Sequence, residues 1–178
     1  MRVIAGAHRG RTLQAPRGRA TRPTSDRVRE ALFSILQDVD GLAVLDLFAG
    51  SGALAIEALS RGASRATLVD RSRSAIAAIE RNLEALGIDA EVVRADAVAW
   101  CEQAKDRARQ YDLVFLDPPY RHGSPLGARL TAALDGVLTP AARVVAESDR
   151  REPLGLGLPL LDERRYGDTL IRIYGITD

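Results

Sequence analysis

The chain has 178 residues, 46% of them hydrophobic and 28% charged, with a formal net charge of +1. This length suits one globular domain with a proper core, and charged residues interrupt every apolar run before it reaches the ~18 to 20 residues of a membrane span. Two histidines and one cysteine leave no zinc-ligand spacing and no internal disulfide. We therefore predict a cytoplasmic protein without a metal, in which Cys101 is a small core residue.

Positive charge is concentrated near the N-terminus, where residues 1–31 carry eight arginines against two acids. Two short apolar stretches, Val3–Ala5 and Thr12–Leu13, flank a turn at His8–Gly10, which is typical of a β-hairpin. The planar guanidinium of arginine can hold a phosphate bidentately. This basic hairpin is therefore interpreted as a nucleic-acid contact, although a solvated arm would have the same composition.

A helix follows the basic segment. Thr24 or Ser25 offers an N-cap, and apolar residues recur after it at helical spacing. They are Val28, Ala31, Leu32, Ile35 and Leu36. We expect this apolar face to pack on a sheet, which would leave Arg27 and Arg29 available toward solvent or substrate.

The next element is a buried strand, Ala43–Leu47, that enters a turn with glycine at positions 50 and 52. Gly50 and Gly52 lack Cβ atoms where backbone must approach a ligand, and the helix that follows supplies free N–H groups at its N-terminus. The pattern from Gly50 to Ala55 also satisfies the dinucleotide fingerprint G-x-G-x-x-G/A. A nicotinamide or flavin oxidoreductase is therefore an alternative at this point.

Three acids occur at the ends of consecutive predicted strands. Asp46 lies in the first strand, Asp70 ends the second and Asp96 follows the third. The carboxyl ends of parallel strands meet at one edge of a sheet, so we expect these acids to share a pocket, although a single acid in this position is most often a helix cap. Asp70, 18 residues after Gly52, suits the ribose hydroxyls of a nucleoside-containing cofactor.

A fourth strand, Leu113–Leu116, ends in Asp117-Pro118-Pro119-Tyr120. Its continuous apolar run predicts burial on both faces, and the first proline ends it because proline has no N–H. An acid, a stiff turn and an aromatic ring are thus presented where ligands bind in parallel sheets. Neither this turn nor Asp46 has an obvious part in hydride transfer, which argues against an oxidoreductase.

Alternating strands and helices predict an α/β fold. The last strands are expected at Ala142–Glu147, Leu158–Arg165 and Thr169–Tyr174, the final two as an antiparallel hairpin. The predicted fold class is a doubly wound, mostly parallel seven-stranded sheet of the Rossmann-like type. It comprises a basic N-terminal hairpin extension, residues 1–23, and a main domain, residues 24–178.

The stretch Asp46–Gly52 together with the D-P-P-Y turn resembles the class I S-adenosylmethionine-dependent N-methyltransferases. More narrowly, Arg22–Phe33 and Tyr166–Thr169 resemble the RsmD-type 16S ribosomal RNA guanine-N2 methyltransferases of bacteria, and the likeness runs over nearly the full chain. It implies transfer of a methyl group from S-adenosyl-L-methionine to the N2 amine of a guanine, with 16S ribosomal RNA or a small-subunit assembly intermediate as partner. A DNA adenine-N6 methyltransferase, which also uses D-P-P-Y, and a non-catalytic RNA-binding module are the alternatives, and a monomer is the default.

The resemblance also implies roles for individual residues. The cofactor would be held by Asp46, Phe48, Gly50, Gly52, Asp70, Asp96 and Ala97. Asp117 and the Pro118 carbonyl would accept hydrogen bonds from the guanine amine, and Tyr120 would stack on the base; Asp117 is interpreted as an orienting group in preference to an obligatory base. Phosphates of the RNA would be contacted by Arg2, Arg9, Arg11, Arg22 and Arg27.

Overall fold

The computed structural model describes residues 1–17, 25–119 and 124–176. Helices and strands alternate through these ranges, which confirms the predicted α/β class. The helices are α1 (Asp26–Leu36), α2 (Ala53–Ser60), α3 (Arg73–Leu86), α4 (Ala97–Asp106) and α5 (Ser124–Leu134). The strands are β1 (Ala43–Leu47), β2 (Arg65–Asp70), β3 (Glu91–Arg94), β4 (Tyr111–Leu116), β5 (Leu138–Asp149), β6 (Leu160–Tyr166) and β7 (Thr169–Gly175).

The strands form one seven-stranded sheet in the order β3-β2-β1-β4-β5-β7-β6. Strands β1 to β5 are parallel, and β7 runs antiparallel to both β5 and β6. The chain order reverses between β1 and β4, and Leu47 is level with both Val69 and Leu116. The crevice expected at such a switch point therefore lies beyond the carboxyl ends of β1, β2 and β4.

Strand β5 is longer than predicted. It runs from Leu138 to Asp149, because its start pairs with Tyr111 of β4 and its end pairs with Thr169 of β7. The apolar pattern marked only the part of the strand that is buried. The partners of the two ends of the strand come from distant parts of the chain, and no local pattern reports them.

Helices cover both faces of the sheet. Side chains of β4 alternate between two apolar clusters: Leu113 and Phe115 pack with α1, α2 and α3, while Val114 and Leu116 pack with α4 and α5. This explains why the strand is a continuous apolar run. The sheet is therefore doubly wound, as predicted.

The N-terminal arm, residues 1–17, is docked on this domain. An isolated antiparallel bridge joins Arg2 and Thr12, and Val3 and Leu13 are buried in the same cluster as α1 to α3. This single bridge is the only β pairing within residues 1–17, and it does not extend into strands. The predicted hairpin is therefore not confirmed.

Helix α2 explains why the bridge does not extend. The buried Glu57 carboxylate accepts hydrogen bonds from the backbone N–H groups of Ile4, 2.7 Å, and Ala5, 3.0 Å. The N–H of Ala7 donates to the Ser60 carbonyl at 2.8 Å. These amides are committed to α2, so they cannot join a β ladder within the arm.

Within the described ranges, no helix is long and apolar enough to cross a membrane. The same residues include no group of three or more His, Cys, Asp or Glu side chains arranged to hold a metal ion. Cys101 is fully buried on α4, and burial raises the pKa of its thiol to about 12. It is a core residue, as predicted.

Candidate functional site

The end of β1 leads into a tight turn, Phe48–Gly52, at the edge of the switch-point crevice. Phe48 has φ 66°, a left-handed conformation that costs a non-glycine residue about 1–3 kcal/mol. Gly50 and Gly52 are also left-handed, with φ 59° and 79°. Strain of this kind in non-glycine residues is concentrated at binding sites, so the turn is a candidate ligand contact.

The two glycines of the turn serve different purposes. A Cβ on Gly52 would lie 2.8 Å from Cδ2 of Leu68 and 3.4 Å from Cγ1 of Ile79, so this glycine lets the turn pack on the core. A Cβ on Gly50 would have no atom closer than the Phe48 carbonyl oxygen at 3.9 Å. The backbone that a ligand could approach closely is therefore that of Gly50.

Asp46 is buried in β1, directly beneath the start of α2. Its Oδ2 accepts a hydrogen bond from the Ala55 N–H at 3.2 Å. Burial, followed by repulsion from Asp70, raises the pKa of Asp46 to about 7, and the Ala55 hydrogen bond opposes this. The carboxyl group is therefore poised to change charge near neutral pH.

Asp70, at the end of β2, links its strand to the turn. Its Oδ2 accepts from the Gly50 N–H at 3.0 Å, and its Oδ1 accepts from the Ser72 N–H at 2.8 Å. The Asp70 side chain is buried. These contacts hold the carboxylate at the rim of the crevice, where sequence reasoning expected it.

Asp96 is the N-cap of α4. Its Oδ1 accepts from the N–H groups of Val98, 3.0 Å, and Ala99, 3.2 Å, and the residue is exposed. The cap explains the acid on structural grounds alone. The residue nonetheless borders the same crevice as Asp70, so the two interpretations do not exclude each other.

A cleft of about 120 Å³ brings these elements together. It is bordered by Phe48, Asp70, Asp96, Ala97 and by Pro119 of the turn after β4. The structure thus places residues from the ends of four strands, β1 to β4, around one cleft. Pro118 is buried and Asp117 is half-buried in the same turn, whereas Tyr120 lies outside the described residues.

Five further residues of the cleft were not predicted: Val69 and Ala95, which directly precede the predicted Asp70 and Asp96, and Arg71, Leu126 and Arg129. Arg71 directly follows the acid of β2, so its position could have been noticed. Leu126 and Arg129 lie on α5, and no local pattern reports that this helix crosses the crevice. The two arginines place positive charge beside Asp70 and Asp96.

Three of the arginines assigned to RNA surround a second cleft, of about 460 Å³, between the N-terminal arm and α1. Arg2, Arg9 and Arg27 border it, together with Asp26 and Glu30. Both acids moderate the positive charge of this basic cleft.

Other arginines of the N-terminal region are placed elsewhere. Arg11 donates to the Ala85 carbonyl at 2.7 Å, and Arg22 is outside the described residues. The expectation that Arg29 faces solvent or substrate is wrong: it is fully buried, and it donates to the Arg2 carbonyl and to Asp26. Docking of the N-terminal arm over α1 covers the Arg29 side chain.

The sheet order with its antiparallel β7, the acids at the ends of the first strands and the D-P-P turn after β4 define a class I methyltransferase fold. The solved structure of the Escherichia coli protein yhhF has the same fold, with a TM-score of 0.83, 34% sequence identity and 99% coverage of each chain.

A protein-family model described as "Conserved hypothetical protein 95" matches residues 1–175. The chain belongs to this family, the RsmD family indicated by the sequence resemblance. YlbH of Bacillus subtilis is 41% identical to it over 98% of each chain. The ribosomal RNA small subunit methyltransferase D of Haemophilus influenzae is 33% identical, over 98% of this chain and 93% of that protein.

Proposed function

We propose that this chain transfers a methyl group from S-adenosyl-L-methionine to the exocyclic N2 amine of a guanine in 16S ribosomal RNA. The observation that carries the proposal is the cleft in which Pro119 of the D-P-P-Y turn meets Asp70 and Asp96. Small-subunit ribosomal RNA as substrate is supported by the name of the Haemophilus relative. The guanine N2 position is supported by the resemblance of the motifs.

The residues of the crevice fit this cofactor. Phe48 offers an apolar surface to the adenine ring, Asp70 and Asp96 offer carboxylate acceptors to ribose hydroxyls and an adenine amine, and Gly50 leaves space for close backbone approach. The buried Asp46 favours a positively charged ligand when it is ionised. The cofactor supplies a methyl group on a positively charged sulfur.

Asp117 and Pro118 have a physical role in this reaction. The guanine amine is a weak nucleophile because its lone pair is delocalised into the ring. Hydrogen bonds from the amine to the Asp117 carboxylate and the Pro118 carbonyl would orient that lone pair at the methyl carbon, and orientation supplies a large share of catalysis. A C–N bond forms as the C–S bond breaks, the electron pair stays on sulfur, and the amine proton passes to Asp117 or to solvent.

The RNA must present a base that has left its stack. Tyr120 would stack on that base, and Arg2, Arg9 and Arg27 would hold neighbouring phosphates in the basic cleft. Arg11 and Arg22 are proposed as additional phosphate contacts. Such contacts set the register of the RNA without reading its sequence.

The test is transfer of labelled methyl groups from S-adenosyl-L-methionine to small ribosomal subunits from cells that lack this protein, compared with unmodified duplex DNA. We expect label in 16S ribosomal RNA only, and mass spectrometry of the RNA should place it on one guanine. Label only in DNA would identify an adenine-N6 enzyme and overturn the proposal.

Calorimetry separates the oxidoreductase alternative. We expect S-adenosylhomocysteine to bind and NAD to show no heat of binding. Binding of NAD alone would overturn the assignment of the cofactor.

A further inference from the structure

Asn82 of α3 connects two parts of the molecule that are far apart in sequence. Its side chain is buried, with 3% exposure. The amide Nδ2 donates to the Gln14 carbonyl at 3.0 Å and to the Ser51 carbonyl at 2.9 Å, and Oδ1 accepts from the Gln14 N–H at 2.8 Å. Gln14 belongs to the N-terminal arm, and Ser51 lies in the turn between Gly50 and Gly52.

This arrangement uses both donors of the Asn82 amide. Water cannot take the place of either carbonyl partner unless the buried site opens. A shift of Gln14 or Ser51 therefore leaves a buried polar group without a hydrogen bond, which costs about 1–3 kcal/mol. The positions of Gln14 and Ser51 are therefore energetically linked through one side chain.

A second contact joins the same two segments. The Ser51 hydroxyl lies 3.4 Å from Sδ of Met1, and the Met1 carbonyl accepts from the Leu13 N–H at 3.0 Å. Leu13 precedes Gln14, so the arm contacts the turn at two neighbouring points.

Each segment also leads to one of the two clefts. In the turn, the Gly50 N–H donates a hydrogen bond to Asp70, which borders the crevice. The arm carries Arg2 and Arg9, which border the basic cleft. We propose that Asn82 is a positioning residue that couples the two binding events, so that cofactor in the crevice steadies the arm and RNA on the arm steadies the turn. This inference rests on the proposed function, and linkage requires the coupling to be equal in both directions.

Hydrogen exchange on the unmodified protein tests the coupling without RNA. Saturating S-adenosylhomocysteine should slow exchange in the peptides covering residues 1–17, although the crevice is lined by other parts of the chain. Unchanged exchange in the arm, with slower exchange in the turn, would overturn the coupling.

Variants test the role of Asn82 itself. Asn82→Asp keeps the acceptor for the Gln14 N–H and loses both donors. Ser60→Ala is the matched control, because the Ser60 hydroxyl accepts from the His8 N–H at 3.0 Å and donates to the Ala5 carbonyl at 2.6 Å, at the part of the arm remote from the turn. The dissociation constant of S-adenosylhomocysteine is measured with and without the hypomethylated subunits.

We expect the subunits to tighten binding about fivefold or more in the wild type and in Ser60→Ala, and to leave it nearly unchanged in Asn82→Asp. Suppose that the wild type methylates the subunits and yet binds S-adenosylhomocysteine equally tightly with and without them. That result overturns the coupling and leaves the proposed function intact. If the subunits tighten binding of S-adenosylhomocysteine as much in Asn82→Asp as in the wild type, Asn82 does not carry the coupling. Absence of methyl transfer overturns the proposed function, while the exchange experiment still decides the coupling.

Discussion

Carboxylates that look alike in the sequence have different surroundings in the structure. Asp46 and Asp70 are buried, whereas Asp96 is exposed and caps a helix. Desolvation penalises the charged form of a buried acid, and burial raises the pKa of Asp46 to about 7. The sequence predicts where these acids lie along the sheet edge, and the raised pKa of Asp46 depends on how deeply that residue is packed.

Asp46 should make the stability of the protein depend on pH. Its pKa is raised from 3.8 in the unfolded chain to about 7 in the folded one, so the folded state holds a proton that the unfolded state loses between these values. The contribution of Asp46 is therefore fully present below pH ~4 and is lost as the pH rises through ~7. Urea unfolding of the wild type and of Asp46→Asn from pH 4 to 8 measures the difference.

In that series, we expect Asp46→Asn to gain stability relative to the wild type as the pH rises. Asparagine is neutral throughout and keeps an oxygen acceptor for the Ala55 N–H. A difference that stays constant with pH would contradict the raised pKa.

Asp117 should affect turnover more than binding. Asp117→Asn removes the charge that orients the amine, so we expect kcat to fall about 100-fold or more, while S-adenosylhomocysteine and RNA bind nearly as tightly as before. The control is Asp112→Asn on β4, because Asp112 holds the Ala43 N–H and the Thr139 hydroxyl at the opposite end of the strand. Unchanged turnover in Asp117→Asn would refute the role assigned to Asp117, whereas absence of turnover in the wild type, with RNA still bound, would favour a non-catalytic RNA-binding module.

The turn between β1 and α2 combines a packing requirement with a binding requirement. Gly52 must lack a side chain because the core occupies that space, whereas the space beside Gly50 is open and is proposed to admit the cofactor. Sequence reasoning assigned both glycines to the ligand. Besides Ile56 of α2, the core neighbours of Gly52 are Leu68 of β2 and Ile79 of α3, and no local motif reveals these two.

Alanine at each glycine should separate the two requirements. Both positions have positive φ, so each substitution carries backbone strain of about 1 kcal/mol or more. Gly52→Ala should lose further stability, by about 1–3 kcal/mol, because its Cβ would meet Leu68. Gly50→Ala should be the more stable variant and should bind S-adenosylhomocysteine more weakly.

Urea unfolding and calorimetry measure the two effects. If Gly50→Ala binds S-adenosylhomocysteine as tightly as the wild type does, Gly50 is not part of the cofactor site.

The helix that precedes the sheet and the N-terminal arm form one packed unit. The arm covers Arg29, contributes Val3 and Leu13 to the core and borders the basic cleft with Arg9. The division into an extension, residues 1–23, and a main domain stays a prediction. Within the described residues, the arm is held by buried side chains of α2 and α3, so its arginines are presented on a fixed surface.

Salt dependence should report this basic cleft. Arg9→Ala is expected to weaken binding of 16S ribosomal RNA and to reduce the slope of log K against log salt by about 1, because one phosphate contact is lost. Arg164→Ala is the control, since Arg164 is exposed on the edge strand β6 and pairs with Asp162. Filter binding at several salt concentrations measures the slopes, and equal slopes for both variants would exclude Arg9 from the RNA surface.

Local patterns in the sequence were sufficient to predict the α/β class and the positions of most strands. They also predicted the position of Asp70 and the turn at Asp117, because period, glycine and proline constrain the backbone over a few residues. Tertiary packing determined three other features: the burial of Arg29, the pKa of Asp46 and the hydrogen bonds by which Asn82 connects the arm to the turn. Each depends on neighbours from distant parts of the chain, and desolvation and side-chain hydrogen bonds are determined by those neighbours.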